Sequence, residues 1–266
     1  MIKKLKAIML KDISNASFEN NMYLNEKFFE DSIRNNFAGW YDESSLYSRI
    51  QFIIQKTQIA VNSSILDVAC GHGKFAEILY EKGHKVVGVD ISTVLIYHLN
   101  NEYDGEIRFQ KENMEDISYK NEFNLVMILG NSLSLVPEEK AIKTIQNLSR
   151  ALKLDGKLFL ELDNRSYYLK NVANTRDWNL YGKRMLLFSE HIYQETACTE
   201  ISRDISIDLN KSLINEFIIV KRLYKLDEIN RMVIDSGFDN VKIYGDWDGQ
   251  VFNENSPKLI LIAEKK

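Results

Sequence analysis

The sequence predicts an α/β fold: a doubly wound, mostly parallel seven-stranded sheet with an antiparallel closing pair. Three observations predict it. Short apolar runs alternate with helix-spaced segments from residue 64 to residue 163, the pattern of strand–helix–strand units whose sheet is covered on both faces. A pair of glycines in "ILDVACGHGKFAEIL" (65–79) separates the first run from its helix. A carboxylate, Asp90, ends the second run, "KVVGVDIS".

Residues 1–60 read as a helical N-terminal cap. "MIKKLKAIMLKD" is a short amphipathic helix, "EKFFEDSIRNNFAGWY" spaces its apolar residues for a second, and "SSLYSRIQFIIQKTQI" repeats that spacing behind a Ser cap. Residues 61–172 read as the core. In order come the strand "SSILDVAC", a helix "GKFAEILYEKG" closed by Gly83, the strand "KVVGVDIS" and a helix opening near Ser92. "EIRFQKENM" supplies a third strand and "FNLVMILGNSL" a fourth. "PEEKAIKTIQNLSRAL" is a helix with Pro137 in its opening turn, and "LDGKLFLELDN" is the fifth strand. Residues 173–224 carry β-type stretches with no helix between them, and they read as an inserted antiparallel lid. Residues 225–266 return to the core with the helix "KLDEINRMVIDSGF" and the two closing strands.

Composition narrows the function classes. The formal net charge is −4 over 266 residues with both signs interspersed, so no basic footprint for nucleic acid exists. Cys70 and Cys198 stand far apart and read as reduced thiols, and the histidines at 72, 84, 98 and 191 are isolated. A disulfide framework and a metal cluster are therefore not expected. No run is long enough to span a bilayer, and the N-terminal apolar stretch is too short for a signal peptide. The expectation is a cytoplasmic chain with a small-molecule substrate, no membrane partner and a homodimer left open.

Gly71, Gly73 and Ala76 fit the spacing G-x-G-x-x-A, with Asp90 closing the next strand. Such glycines let the backbone approach a ligand while the acid takes ribose hydroxyls. Spacing alone does not separate NAD(P) from S-adenosylmethionine (SAM). Asp67 bears on the choice, because a carboxylate beside the turn repels a pyrophosphate and welcomes an ammonium or sulfonium group.

At these residues the chain resembles the class I SAM-dependent methyltransferases. "LDVACGHG" is similar to their first motif and "VVGVDIS" to their acidic-loop motif. "ENMEDI" (112–117), "FNLVMILGNSLSLV" (123–136) and "LKLDGKLFLEL" (152–162) follow in the family's order. The resemblance covers residues 40–170 best and implies a Rossmann-like fold with SAM as cofactor and S-adenosylhomocysteine as product. It implies that Asp67, Ala69, Gly71 and Gly73 line the methionine part of SAM, with Leu129 and Gly130 beside it. Asp90 would bind both ribose hydroxyls, Ile91 would pack on the adenine, and Asn113 and Met114 would contact it. Many relatives carry Asp where this chain has Asn113. Arg49 is placed like a family Arg that holds the SAM carboxylate; its other reading is a solvated helix charge.

"LGNSLSLVPEE" and "LDNRSYY" (162–168) also resemble glycine N-methyltransferases, which points to N-methylation of a small molecule or peptide, with O-methylation close behind. Asn164, Arg165, Tyr167, Tyr41 and Tyr244 are the substrate-side candidates. Arg165 aligns with the family's substrate-carboxylate Arg only after a two-residue shift. An amine acceptor needs no protein base, whereas an oxygen acceptor wants one; His191, in the lid, is the candidate catalytic residue, its other reading being a packed strand side chain. Two rival functions rest on the same residues: an NAD(P)-dependent dehydrogenase, and a non-catalytic SAM-binding domain.

Overall fold

A computed structural model describes residues 2–21, 26–34, 42–181 and 185–266. Its main sheet contains β1 (Ser64–Val68), β2 (Lys85–Asp90), β3 (Arg108–Lys111), β4 (Phe123–Ile128), β5 (Leu152–Asp163), β10 (Phe238–Tyr244) and β11 (Lys258–Lys265). The spatial order is β10-β11-β5-β4-β1-β2-β3. β1 pairs in parallel with both β2 and β4, while β11 runs antiparallel between β5 and β10. Chain order reverses between β1 and β4, and the crevice beyond the carboxyl ends of such strands is where open α/β sheets bind ligands.

The central strands are continuous apolar runs because both faces are covered. Along β1, Leu66 and Val68 enter one core cluster and Ile65 enters the other, as a period of two requires. On the first face pack α6 (Glu138–Ala151) and α8 (Leu226–Asp235), through Ile145, Leu148, Ile229 and Val233. On the second pack α3 (Glu43–Thr57), α4 (Lys74–Glu81) and α5 (Thr93–Tyr103), through Ile50, Ile53, Leu79 and Leu99. All eight of these side chains are fully buried or nearly so; truncating one of the leucines or isoleucines to Ala costs about 2–5 kcal/mol.

Three local features differ from the sequence expectation. The cap of α3 is Asp42, not a Ser: its carboxylate accepts from Ser45 N, and a charged acceptor is the stronger cap at a helix N-terminus. A helix α7 (Arg165–Asn171), capped by Asn164, follows β5, and the reading by apolar spacing gave no helix there because it is short and polar. An edge strand β6 (Arg176–Tyr181) joins the lid.

The second sheet is antiparallel in the order β6-β7-β8-β9, with β7 (Met185–Gln194), β8 (Thr199–Asp208) and β9 (Leu213–Arg222). Its small apolar clusters are completed from the N-terminus. Ile13 packs with Ile201 and Val220, and Leu5 and Ile8 of α1 (Ile2–Met9) pack with Ile205, Ile207 and Ile214. Arg203 of β8 donates to the Ile8 and Lys11 carbonyls at 2.6 and 2.8 Å, satisfying orphan acceptors at the end of α1. Asn21, 4% exposed, accepts from Val220 N and donates to the Val220 and Leu135 carbonyls. The N-terminal segment is thus stitched to both the lid and the loop after β4.

Candidate functional site

β1 ends in a turn of left-handed residues. Ala69, Gly71 and Gly73 have φ of 57°, 55° and 71°. The turn folds onto the end of β2: Cys70 N donates to Val89 O at 3.0 Å, and Gly71 N donates to Asp90 Oδ2 at 2.9 Å. Asp90 Oδ1 accepts from Ser92 N at 3.0 Å. A Cβ on Gly71 would meet nothing within 4 Å, so this backbone faces open space. On Gly73 a Cβ would fall 2.9 Å from Leu99 and 3.1 Å from Phe109. Gly73, expected beside the ligand, instead lets α4 pack closely on the neighbouring elements, a recognised use of a glycine in this turn.

These residues line a cavity of about 840 Å³. Of the expected cofactor residues it receives Asp67, Ala69, Gly71, Asp90, Ile91, Asn113, Met114 and Leu129. Asp67 is 3% exposed, and no hydrogen bond reaches its carboxyl among the described residues. Burial, with the Asp90 carboxylate as a second cause, pushes its pKa up to about 8. Burial also raises Asp90, opposed by the amides of Ser92, Gly71 and Ile91. Two carboxyls thus face one cavity. A diphosphate would meet both, whereas a cationic group would relieve the cost of holding them there.

The rest of this half is held by side-chain clamps. Asn113 caps the short turn Met114–Asp116 and donates to Glu115 Oε1 at 3.1 Å; Lys140 of α6 pairs with the same oxygen at 2.9 Å. After β4, Gly130 N donates to the buried Glu161 carboxylate at 2.8 Å. Asn131 accepts from Asp163 N and donates to Asp163 Oδ2. The stretch "GNSL" is therefore a turn fastened to β5.

The other half of the cavity comes from residues the sequence reading did not single out. Phe18, Phe28, Phe29, Leu135 and Leu187 form its apolar walls. Phe28 meets Phe29 and Phe217 edge to face at 5.3 and 5.2 Å between centroids. Helix α2 (Glu26–Arg34) carries two of these rings and is fixed by Glu26. That carboxylate accepts from Ser92 Oγ and Thr93 N at 2.8 Å each, and from Val94 N at 3.3 Å. It satisfies donors at the N-terminus of α5 that would otherwise lack partners. Burial pushes the Glu26 pKa up, but these donors hold it below the usual range. No sequence signal links residues 66 apart in this way.

Several expected residues do not line the cavity. The Arg49 guanidinium lies 5.1 Å from the Trp247 ring. Tyr244 packs on Phe52 at 5.5 Å, and Asn164 donates to the carbonyls of Asn253, Glu254 and Ser256. Arg165 donates to Tyr193 Oη at 2.7 Å, and Tyr167 sits on the half-buried side of α7. His191 Nδ1 lies between Tyr168 Oη and Glu200 Oε1, 3.2 and 2.9 Å away. Tyr41 falls outside the described residues.

His191 belongs to a buried ionic seam between lid and core. Glu200, fully buried, pairs with Lys221 at 3.0 Å; Lys221 pairs with Asp163 at 3.0 Å, and Lys258 with Asp163 at 3.1 Å. The lysines hold the Asp163 pKa down against its burial.

Comparison with known proteins finds similarity to methyltransferases. A family model described as a methyltransferase domain matches residues 65–156. The chain is 23% identical over 209 residues to the cypemycin N-terminal methyltransferase of a Streptomyces species, covering 76% of this chain and 83% of that protein. It is 24% identical over 234 residues to the glycine/sarcosine N-methyltransferase of Aphanothece halophytica, covering 85% and 84%. A solved SAM-dependent methyltransferase from Clostridium acetobutylicum matches the fold with a TM-score of 0.76 at 17% identity, over 88% of this chain and 99% of that one.

Proposed function

We propose that the chain is a class I SAM-dependent methyltransferase and that it methylates a nitrogen atom of a small molecule or of a peptide terminus. The observation that carries this reading is the acidic lining of the cavity, in which burial holds Asp67 neutral until a cation reaches it. Six carboxyls line it (Glu19, Asp67, Asp90, Glu112, Glu115 and Glu139) against two lysines, Lys74 and Lys140. A cofactor with a sulfonium and an ammonium group fits such a lining, and so does an acceptor that is cationic in solution. Both N-methyltransferases and O-methyltransferases are among the similar proteins, so the lining of the cavity carries the choice of nitrogen.

When bound, SAM supplies an activated methyl on a positively charged sulfur. The residues of this chain bind and orient. Asp67 would face the ammonium end, Asp90 would accept from the ribose hydroxyls, and Ile91 and Met114 would flank the adenine, with Asn113 at its edge. The apolar half holds the acceptor in line and keeps water out. The neutral amine forms the new nitrogen–carbon bond with its lone pair as the methyl–sulfur bond breaks. An acceptor that is cationic in solution gives one proton to water before transfer, and the proton left surplus on the methylated nitrogen passes to water afterwards. No protein base takes part, consistent with His191 being held at the lid–core seam.

The test is thermal melting with SAM, S-adenosylhomocysteine and NADH in parallel, followed by transfer of labelled methyl to amine pools. Ligands that bind only the native state stabilise it by about 2.7 kcal/mol at a hundredfold excess over Kd. A shift with the two sulfur ligands and labelled amine is expected. A shift with NADH alone would overturn the reading, and SAM binding without turnover on any acceptor would favour a non-catalytic SAM-binding domain.

A further inference from the structure

The acceptor half of the cavity excludes a common class of amine. Its walls are the rings of Phe18, Phe28 and Phe29 with Leu135, Val136 and Leu187. The cations that reach the cavity among the described residues are Lys74 and Lys140, and each is already paired. Lys74 bonds Glu77 at 2.8 Å, and Lys140 bonds Glu115 at 2.9 Å. His72 adds no positive charge at neutral pH, because burial lowers its pKa. The two arginines considered for a carboxylate lie elsewhere, Arg49 against Trp247 and Arg165 against Tyr193. Glu19 and Glu139 stand exposed at the lining.

From this we propose that the acceptor is an amine on an apolar, aromatic-sized body that carries no carboxylate or phosphate group. An α-amino acid such as glycine is thereby excluded, while an arylalkylamine or the N-terminus of an apolar peptide is accommodated. The physical reason is asymmetric. The amine enters an acidic lining that favours its approach. The body replaces water against phenylalanine rings, which also attract a cation at their faces. A carboxylate next to the amine would lose its hydration, find no unpaired cation among the described residues of the lining and face Glu19 and Glu139. The proposal rests on the methyltransferase reading of the same cavity.

Matched probe pairs test it: phenethylamine against phenylalanine, and tryptamine against tryptophan, each pair differing by the carboxylate alone. Each is added to the intact protein saturated with S-adenosylhomocysteine for melting, and with SAM for methyl transfer. The expected result is a stabilising shift with the amines and kcat/KM at least about thirtyfold above the amino acids, the size of effect that an unpaired buried charge produces. Phe28→Ala should lower kcat/KM for the amines about tenfold, while the Kd for S-adenosylhomocysteine stays unchanged. Equal or better turnover of phenylalanine, tryptophan or glycine overturns the proposal, and so does a failure of both amines to bind and react. If S-adenosylhomocysteine itself does not bind, the methyltransferase reading falls. If it binds but the amines show no advantage, this inference alone falls.

Discussion

The two halves of the cavity are built differently. The proposed cofactor half hangs on the ends of β1, β2 and β4, where neighbouring strands fix each other: Gly71 N on Asp90, Gly130 N on Glu161, Asn131 on Asp163. The proposed acceptor half is assembled from a segment near the N-terminus, helix α2 and one strand of the second sheet, joined by Asn21, Glu26 and packed phenylalanines. The first half is anchored in a sheet buried on both faces. The second depends on a few long-range polar contacts. A site divided this way keeps the cofactor chemistry constant on a rigid frame while the acceptor pocket changes with loops and insertions.

Breaking the cofactor half should give the largest effect. Asp90→Ala removes the partner of Gly71 N and Ser92 N along with the proposed ribose contact. The expected loss is about a hundredfold in SAM affinity by calorimetry, in line with two or more charge-assisted hydrogen bonds. A loss under threefold would mean that the turn, not the carboxylate, recognises the cofactor.

Glu26→Gln tests the joint between the halves. It keeps the shape and weakens three contacts to the start of α5. The expected cost is about 1–2 kcal/mol of stability, with acceptor KM rising more than SAM Kd, since α2 carries Phe28 and Phe29. Because the folded pKa of Glu26 is depressed, its contribution is present above the ordinary carboxylate range and is lost as pH falls through the folded value. Melting at pH 7 and pH 4 should therefore show the variant's deficit shrinking in acid.

Asp67→Asn gives a smaller change with a pH signature. The Asp67 pKa is raised from 3.8 to about 8 in the unliganded protein. Its neutral form is thus the one the fold favours, and its share of stability is full below the unfolded value and declines as pH rises toward 8. A cationic ligand needs the ionised form. SAM affinity should rise with pH up to about 8 with release of a proton, and the Asn variant should flatten that profile and bind about tenfold more weakly at pH 8.5. A pH-independent affinity in the native protein would show that Asp67 does not face the charge.

The smallest effect is expected at the seam. His191→Gln retains a group able to bond Glu200 and Tyr168, so kcat should stay within about twofold, read from initial rates at saturating acceptor. A loss of a hundredfold or more would restore His191 as a catalytic base and favour an oxygen acceptor.

The cofactor half was legible in the sequence because its determinants are local. A glycine needed for φ of 55°, a carboxylate ending the next strand and a carboxylate four residues before that glycine all fall within 65–92. Seven strands with a closing pair followed from apolar runs of the right length. The substrate-side candidates Tyr244, Asn164, Arg165 and Tyr167 were drawn from sequence neighbourhood, and the fold gives Asn164 and Tyr244 packing and capping work instead. Phe18, Phe28, Phe29 and Leu187 gave no signal, since an apolar residue at helix or strand spacing reads as core wherever it lies.

By itself the sequence determined the raw material of the strand order and the turn after β1, because periodicity and φ preference act over a few residues, while the expected class of cofactor came from the resemblance of its motifs to a known family. Only the tertiary structure decided which aromatic rings face the cavity, that Glu26 closes the end of α5, and that every described cation near the acceptor is already paired. Those are contacts between residues tens to hundreds of positions apart. Their existence depends on how the two sheets and the N-terminal segment meet, and no local pattern along the chain encodes that meeting.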